Sequence, residues 1–358
     1  MLFRKFIPLL LVVFLLAGCQ QNSLPSSVDA TSNNELVLYS WEGYLPSDVL
    51  DAFTEATGIT WRYSTFDSNE EMLIKLGSNG ATQYDLVLAS DYIISDAVRA
   101  NLALPLNKEL ISRFADIDPS FQSHFYDPKN EYTIPFAAGS PLIIYDPALV
   151  DVPIRGYDDL WNPALENSLA VFDDARLMVG FTMKTLGGSL NSTDAELIAQ
   201  AGEKLQGLAP NIKALQYSTG GERIVSGEVS VSFVFTPHML YAIKERPDLK
   251  VVYPEEGLGF GIDAFFIPAN APNAEAAHAF LNYILEGSVS AELSEYAGYM
   301  NCVSTARAFM SSDILNNEYL YIPADILEDA EFMQDIPFEA TEQIETVWEN
   351  FKASLGSR

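Results

Sequence analysis

The stretch LVLYSWEGYLPSDVLDAFTEATGITWRYST, residues 36–65, alternates two hydrophobic patterns. Its first six residues form a short apolar run that is typical of a buried strand. Residues 46–56 carry helix signals, with Pro46 at the start and Gly58 just beyond the end. Residues 59–65 return to a strand pattern with polar alternation. A strand, a helix and a second strand in such close succession predict an α/β fold with largely parallel sheets.

The same alternation continues through the rest of the chain, without an internal repeat. Apolar runs and apolar–polar alternation predict further strands at 84–89, 141–145, 168–172, 228–235 and 263–268. Helical patterns predict helices at 69–76, 93–100, 176–186, 194–208, 237–245, 274–285 and 338–352.

The N-terminus has the parts of an export signal. A basic start precedes an apolar run, residues 6–16, which is shorter than the roughly 20 residues that span a bilayer. The run ends in Leu-Ala-Gly-Cys19, which resembles a bacterial lipobox. These features predict a signal peptide over residues 1–18, a lipid on Cys19 and a flexible polar tether over residues 19–34. The alternative is an ordinary signal peptide that happens to contain a cysteine.

The chain is strongly acidic. Its formal charge is −29, and it becomes −31 when the signal peptide is removed with its two basic residues. Such a surface repels nucleic acid and anionic lipid headgroups and attracts cations, so no nucleic-acid partner is predicted. The alternative is a solvated acidic surface that aids solubility. With Cys19 acylated, Cys302 has no disulfide partner, so the fold relies on its core.

Catalytic motifs are absent from the sequence. It contains no Gly-x-Ser-x-Gly elbow, no phosphate-binding P-loop and no His-Glu-x-x-His helix. The three histidines share no metal-ligand spacing, and paired acids at 158–159 and 173–174 have no further ligands nearby. These observations favour a binding protein without a metal or a cofactor over an enzyme.

Seven short motifs occur in order across most of the chain. They are Trp41-Glu-Gly-Tyr44-Leu-Pro46, Tyr84-Asp-Leu-Val, Ser90-Asp-Tyr92, Asp173-Asp174-Ala-Arg176, Gly227-Glu-Val, Asp263 with Ile267-Pro-Ala-Asn270, and Gly298-Tyr299. Together they resemble the bacterial spermidine/putrescine-binding proteins of ABC importers. Each motif is weak alone, but the set in register extends from about Glu35 to Ser354.

The resemblance implies a type II periplasmic-binding-protein-like fold, with two α/β lobes and a ligand cleft between them. It places lobe 1 at residues 35–144 and 262–305, and lobe 2 at residues 145–261 and 306–358. It also implies an extracytoplasmic monomer that closes on its ligand by hinge motion and presents it to an ABC permease. A lipid anchor would keep such a receptor near its membrane partner.

The resemblance also implies the ligand and its site. A polyamine is a flexible apolar chain with ammonium groups, so it needs carboxylates for the charges and aromatic faces for the methylenes. The positions that match the family's pocket supply aromatic walls at Trp41, Tyr44, Tyr92, Phe235 and Tyr299. The same match implies two ammonium partners, Asp174 and Asp263, and two small polar contacts, Ser90 and Ser218.

Several pocket positions depart from the family's pattern. Leu177 stands where the family has a second carboxylate, and Gly43 stands where it usually has an acid. Gly261 and Phe235 each stand where the family has a Trp. Met333 aligns with a Gln of the family, with Gln334 one residue away in register. These changes remove an anionic contact and a large wall on one side of the cleft.

The departures leave the ligand open between three alternatives. The pocket takes a shorter diamine, or it holds a polyamine in another register that uses Glu42 or Asp91, or it binds a zwitterionic amino acid. In the last case Arg223 and Arg176 are the candidates for gripping a carboxylate. His238 either adds pH sensitivity to the cleft or begins a helix. A further alternative is a ligand sensor that presents its closed form to a membrane receptor.

Overall fold

The computed structural model describes residues 34–78 and 82–356. The predicted signal peptide, the predicted lipid site at Cys19 and nearly all of the predicted tether lie outside these residues. Within the described ranges, none of the helices combines the length and the apolarity that a membrane crossing requires.

Strands and helices alternate along the described residues, as the sequence predicts. The strands are β1 Glu35–Ser40, β2 Thr60–Thr65, β3 Leu86–Ser90, β4 Ala103–Leu104, β5 Thr133–Gly139, β6 Leu142–Tyr145, β7 Leu169–Phe172, β8 Ile212–Gln216, β9 Val231–Val234, β10 Lys250–Val252, β11 Gly259–Pro268, β12 Met300–Asn301 and β13 Glu331–Phe332. The helices are α1 Ser47–Thr57, α2 Asn69–Gly77, α3 Asp91–Arg99, α4 Ala175–Lys184, α5 Ala195–Gln206, α6 Gly220–Val225, α7 Thr236–Glu245, α8 Ala274–Ile284, α9 Gly287–Ala297, α10 Ser312–Leu315, α11 Ala324–Leu327 and α12 Phe338–Gly356.

The larger sheet has mixed strand directions. Its main path is β12-β5-β11-β3-β1-β2, and β4 and β13 pair with β11 beside that path. Strand β1 runs parallel to β2 and β3, whereas β11 runs antiparallel to both β3 and β5. The prediction of largely parallel sheets is therefore wrong for the part of the sheet formed by β12, β5 and β11, because the long strand β11 runs in the opposite direction to both of its neighbours.

The smaller sheet follows the same plan. Its order is β10-β6-β9-β7-β8. Strand β7 runs parallel to β8 and β9, whereas β6 is antiparallel to β9 and β10. Each sheet thus has three parallel strands whose carboxyl ends lie on one edge, the edge at which α/β proteins usually bind ligands.

The chain crosses between the sheets at places that differ from the predicted lobe boundaries. Leu142 already belongs to the smaller sheet, and β11 enters the larger sheet at Gly259. Ala306 and Met310 are buried in the same cluster as Phe265 of the larger sheet. Apolar residues flank both crossings, so hydrophobicity alone gave no signal of which sheet each segment joins.

Two apolar clusters each support one sheet, and a third contains buried residues of both sheets. Leu38 of the larger sheet is fully buried with Phe53 and Phe280 from the helices that cover it. Phe233 of the smaller sheet is buried with Trp348 of α12, which packs against α4 and α5. Full burial of each such side chain contributes about 1.5–3 kcal/mol, so the two sheets form rigid supports for the loops at their edges.

Candidate functional site

A cavity of about 400 Å³ lies where loops from the two sheets face each other. Residues within two positions of the ends of β1, β2 and β3 of the larger sheet line it, as do residues within two positions of the ends of β7, β8 and β9 of the smaller sheet. Ligand pockets usually measure about 300–1,000 Å³. The cavity is therefore of ordinary size for a small-molecule site.

The ten ligand-binding residues predicted from the sequence all line this cavity. They are Trp41, Glu42, Tyr44, Ser90, Tyr92, Asp174, Ser218, Phe235, Asp263 and Tyr299. They are brought together from positions that span most of the chain. Their roles in binding a ligand stay predictions.

Asp263 is the central carboxylate on the larger-sheet side. It lies on β11 directly opposite Ser90 of β3. The Tyr44 hydroxyl donates a hydrogen bond to Asp263 Oδ2 at 2.6 Å. Burial raises the pKa of Asp263, and hydrogen bonds from the Tyr44 and Ser90 hydroxyls lower it in part. The fold thus holds this carboxylate in a fixed position, in an environment where its charge needs a counter-ion.

Asp174 is the facing carboxylate on the smaller-sheet side. It is the N-cap of α4, and its Oδ1 accepts a hydrogen bond from Leu177 N at 2.8 Å. Burial raises the pKa of Asp174 to about 6. Its neighbour Asp173 has a different role, since it accepts from Trp348 Nε1 and pairs with Lys352 on α12. Only the second acid of this pair therefore faces the cavity.

Aromatic rings form the walls between the two acids. The rings of Tyr44 and Tyr299 lie 5.4 Å apart on the larger-sheet side. On the smaller-sheet side, Tyr217 and Phe235 lie 6.0 Å apart. Trp41 and Tyr217 come from different sheets and stack at 6.2 Å with 23° between their planes. This arrangement suits a flexible chain of methylenes that ends in cations.

Tyr217 is a cavity residue that the sequence analysis missed. It follows β8 directly, and β8 is a strand that the hydrophobic pattern of IKALQ did not reveal. The Gln216 side chain accepts hydrogen bonds from the backbone N–H groups of Thr219 and Gly220, which fixes the loop that carries Tyr217. Its position after a parallel strand is the signal that would have identified it.

We expect Tyr217→Ala to weaken binding of a cationic ligand by about 3- to 30-fold, because a cation–π contact contributes about 0.5–2 kcal/mol. Tyr217 is 39% exposed, so the melting temperature should change little. Isothermal titration calorimetry measures the affinity, with Tyr296→Ala, an exposed tyrosine outside the cavity, as the matched control. Unchanged affinity in Tyr217→Ala would show that this ring does not touch the ligand.

A hydrogen-bonded chain joins α2 to Tyr92. Asn69 Nδ2 donates to the Tyr92 hydroxyl at 2.9 Å, and that hydroxyl donates to Glu70 Oε1 at 3.1 Å. Asn69 is also buried and accepts from Ser90 N. The sequence analysis did not identify Asn69, which fixes Tyr92 and the end of β3 in place.

Asp91 has mainly a structural role. Its carboxylate lines the cavity, but it accepts hydrogen bonds from Ile262 N at 3.1 Å and from Tyr92 N at 2.8 Å. Burial raises its pKa well above the usual range. Because these two backbone N–H groups already occupy its oxygens, Asp91 is a poorer ammonium partner than Asp263. Glu42 lies at an exposed position of the lining.

The two arginines considered for an amino-acid carboxylate do not line the cavity. Arg223 forms an ion pair with Glu228 on its own side of α6. Arg176 donates to the backbone carbonyls of Leu190 and Gln334, at 2.9 Å each. The hypothesis that either forms a carboxylate fork in the cleft is wrong for this structure, because both guanidinium groups are already satisfied elsewhere.

Among the described residues, the charged side chains that line the cavity are acidic, with no lysine or arginine. They are Glu42, Asp67, Asp91, Asp174 and Asp263. His238 also lines it, and burial lowers the pKa of that imidazole, which favours the neutral form. The cavity therefore has a strongly negative character that matches a cationic ligand.

Of the two candidate residues in the C-terminal segment, Met333 and Gln334, only Met333 lies at the cavity. Met333 lines the cavity, whereas Gln334 is exposed and uses its backbone carbonyl for Arg176. Met333 therefore places a thioether in the cavity lining, and its correspondence to the family's Gln stays a prediction.

Comparisons with known proteins agree with this geometry. A family model described as bacterial extracellular solute-binding protein matches residues 48–318. A spermidine/putrescine-binding periplasmic protein of Salmonella typhimurium is 33% identical over 329 residues, which cover 92% of this chain and 94% of that protein. The solved structure of a spermidine/putrescine ABC transporter substrate-binding protein from Streptococcus pneumoniae has a TM-score of 0.78 and 30% identity, covering 90% of this chain and 99% of its own. A lipoprotein of Treponema pallidum has a TM-score of 0.80 and 25% identity, covering 88% and 99%.

Proposed function

The chain belongs to the bacterial extracellular solute-binding proteins, and on that premise we propose that it captures a polyamine of the putrescine/spermidine class for an ABC importer. Membership confirms the family resemblance and the two-lobed α/β fold predicted from the sequence. The ligand sits in the cavity between the lobes, and closure of the lobes signals its presence to the permease.

The observation that carries this proposal is a cavity with acids at two facing positions and aromatic rings between them. Asp263 on one lobe and Asp174 on the other each provide a half-buried carboxylate that lines the cavity. Burying an ammonium group without a counter-charge is very costly, so two fixed carboxylates select a ligand with two cationic ends. The rings of Trp41 and Tyr217, one from each sheet, then supply an aromatic wall against which the methylenes pack.

The same charges argue against a zwitterionic amino acid. Its carboxylate would enter a cavity that, in the described part of the chain, offers acids and no guanidinium or ammonium group. An unpaired carboxylate there meets both desolvation and like-charge repulsion. A diamine of equal length meets neither penalty.

We propose further that the protein works outside the cytoplasm as a monomer, held at the membrane by a lipid on Cys19. The family is extracytoplasmic, and the Leu-Ala-Gly-Cys19 ending supports the anchor. The role is binding and release without catalysis, metal or cofactor, which is how solute-binding proteins of this family serve a transporter.

A thermal-shift panel separates the two ligand classes. The purified mature chain is heated with putrescine, spermidine, cadaverine, lysine or 4-aminobutyrate, the last a zwitterion of the same chain length as putrescine. A ligand at 100 times its Kd stabilises the fold by about 2.7 kcal/mol, so the diamines or spermidine should raise the melting temperature by several degrees. A shift with 4-aminobutyrate and none with putrescine would contradict the proposal.

Binding should weaken as the pH falls through about 6. Burial raises the pKa of Asp174 to about 6, so acid neutralises the carboxylate that the ligand needs. Affinity should be nearly constant above pH 7 and should fall about tenfold per pH unit below 6 for this one proton. Calorimetry from pH 8 to pH 5 tests this, and Asp174→Asn should remove this part of the pH dependence.

The stability of the ligand-free protein should respond in the opposite direction. A carboxyl whose pKa is higher in the folded state than in the unfolded chain binds its proton more tightly when folded. Asp174 therefore contributes to a melting temperature that rises as the pH falls from 7 towards 5. This control distinguishes loss of affinity from loss of fold.

A further inference from the structure

We infer that the cavity selects an amine with two ammonium groups and one uncharged, apolar arm over a triamine that is charged at every nitrogen. This inference rests on the proposed function and narrows its ligand class. It follows from the part of the cavity that lies beyond Asp174, where the lining changes from acidic and aromatic to apolar.

Helix α4 shows the change most clearly. Asp174 caps its N-terminus, and Leu177 and Phe181, one and two turns further along, also line the cavity. Residues at this spacing lie on one face of a helix, with a rise of about 1.5 Å per residue. The ligand therefore meets a carboxylate at the start of the helix and only hydrocarbon along the following two turns of this face.

The strand opposite α4 leaves room for an arm. A Cβ atom at Gly261 would meet no atom within 4 Å, so open space lies above this residue of β11. At Gly259, two residues earlier, a Cβ would lie 2.8 Å from Phe181, so the end of this region is closed. Leu190, Phe260 and Met333 complete an apolar compartment between these two positions.

Charges behind the compartment disfavour a third ammonium. Arg176 lies behind its wall and donates to the backbone carbonyl of Leu190 at 2.9 Å. Glu331 is the carboxylate near this wall, but it pairs with the buried Lys184 at 2.5 Å and accepts from Leu190 N. A cation placed here would lie near the Arg176 guanidinium, and the nearby Glu331 carboxylate is already paired with Lys184, whereas a hydrocarbon arm needs no counter-charge.

Calorimetry with three amines tests the inference on the mature protein. The amines are putrescine, spermidine and N-butylputrescine, in which a methyl group replaces the primary amine of the three-carbon arm of spermidine. N-butylputrescine should bind at least tenfold more tightly than either of the others, because its arm is buried without an added charge. Spermidine binding as tightly as N-butylputrescine, or more tightly, would overturn the inference and leave the proposed function standing.

Two variants locate the effect in the compartment. Leu177→Glu adds a carboxylate in the first turn of α4, where an acid is compatible with the helix, and should reverse the preference towards spermidine. Gly261→Trp fills the open space and should remove the advantage of N-butylputrescine while putrescine still binds. Leu149→Glu, at a leucine that is 61% exposed and outside the cavity, is the matched control.

The outcomes keep the two proposals distinguishable. If Leu177→Glu fails to fold, the affinities of the wild-type protein for the three amines and those of Gly261→Trp still test whether the cavity prefers an uncharged arm. A Gly261→Trp protein that keeps the full advantage of N-butylputrescine contradicts the assignment of the arm to this compartment. Failure of all three amines to bind the wild-type chain would instead overturn the proposed function.

Discussion

Asp263→Asn should lower the affinity for putrescine or spermidine by about 30- to several thousand-fold. Removing one partner of a buried, hydrogen-bonded charge pair costs about 2–5 kcal/mol, since the other charge stays buried without compensation. Asparagine keeps the volume and retains an oxygen for the Tyr44 hydroxyl, which donates to Asp263 at 2.6 Å in the native site. The loss is therefore a charge effect, and calorimetry of the purified variant measures it.

The stability of the same variant provides its internal control. Burial of an ionised Asp263 raises its pKa, so the ligand-free fold should be unchanged or more stable when this charge is removed. Asp151→Asn, at an exposed position outside the cavity, makes the same chemical change and should leave affinity within twofold. Affinity within threefold of wild type in Asp263→Asn would show that this carboxylate does not meet an ammonium group.

Asp174→Asn should weaken the same ligands by about 30-fold or more, for the same electrostatic reason at the other end of the cavity. Asparagine is about as good an N-cap as aspartate, so α4 should keep the hydrogen bond that Asp174 accepts from Leu177 N. The melting temperature should therefore stay within a few degrees of wild type. Calorimetry and thermal denaturation together separate binding from capping.

Asp194→Asn is the matched control for this change. Asp194 caps α5 by accepting from Glu196 N, and it lies outside the cavity. Equal losses of affinity in Asp174→Asn and Asp194→Asn would indicate a general capping effect. A loss confined to Asp174→Asn supports a direct contact with the ligand, and it should appear with putrescine as well as with spermidine.

The ten candidate site residues were predicted from the family resemblance of the sequence motifs, and several of them lie within two residues of the end of a strand with a clear hydrophobic pattern. Trp41 follows β1, Tyr92 lies just beyond β3 and Phe235 follows β9, so short motifs mark the edge of each sheet. Asp263 was conspicuous because a carboxylate is costly inside an otherwise apolar strand. The structure places these side chains around one cavity.

The elements that the sequence analysis missed have physical explanations. Strand β5 carries Pro135 and ends at Gly139, two residues that weaken a strand pattern. Strand β8 has little apolar alternation, so Tyr217 after it was missed as well. Helix α9 begins at Gly287 and is rich in serine, which hides its helical periodicity. Tertiary packing stabilises these elements where local propensity does not.

The lobe boundaries were the least predictable feature. The chain passes from β5 to β6 through Ser140 and Pro141 within a continuous apolar region, so hydrophobicity does not change where the sheet changes. Open space at Gly261 and the apolar character of Leu177 were visible as departures from the family's pattern. Together they form a compartment for an uncharged arm, which could be inferred only from the way α4 packs opposite β11 in the structure.

Calorimetric titration of the mature wild-type chain with putrescine, spermidine and cadaverine at pH 7.5 tests the central claim most directly. We expect saturable heat with one amine bound per chain, from at least one of these ligands, and loss of that heat in Asp263→Asn. The absence of heat with all three amines at millimolar concentration would contradict the account.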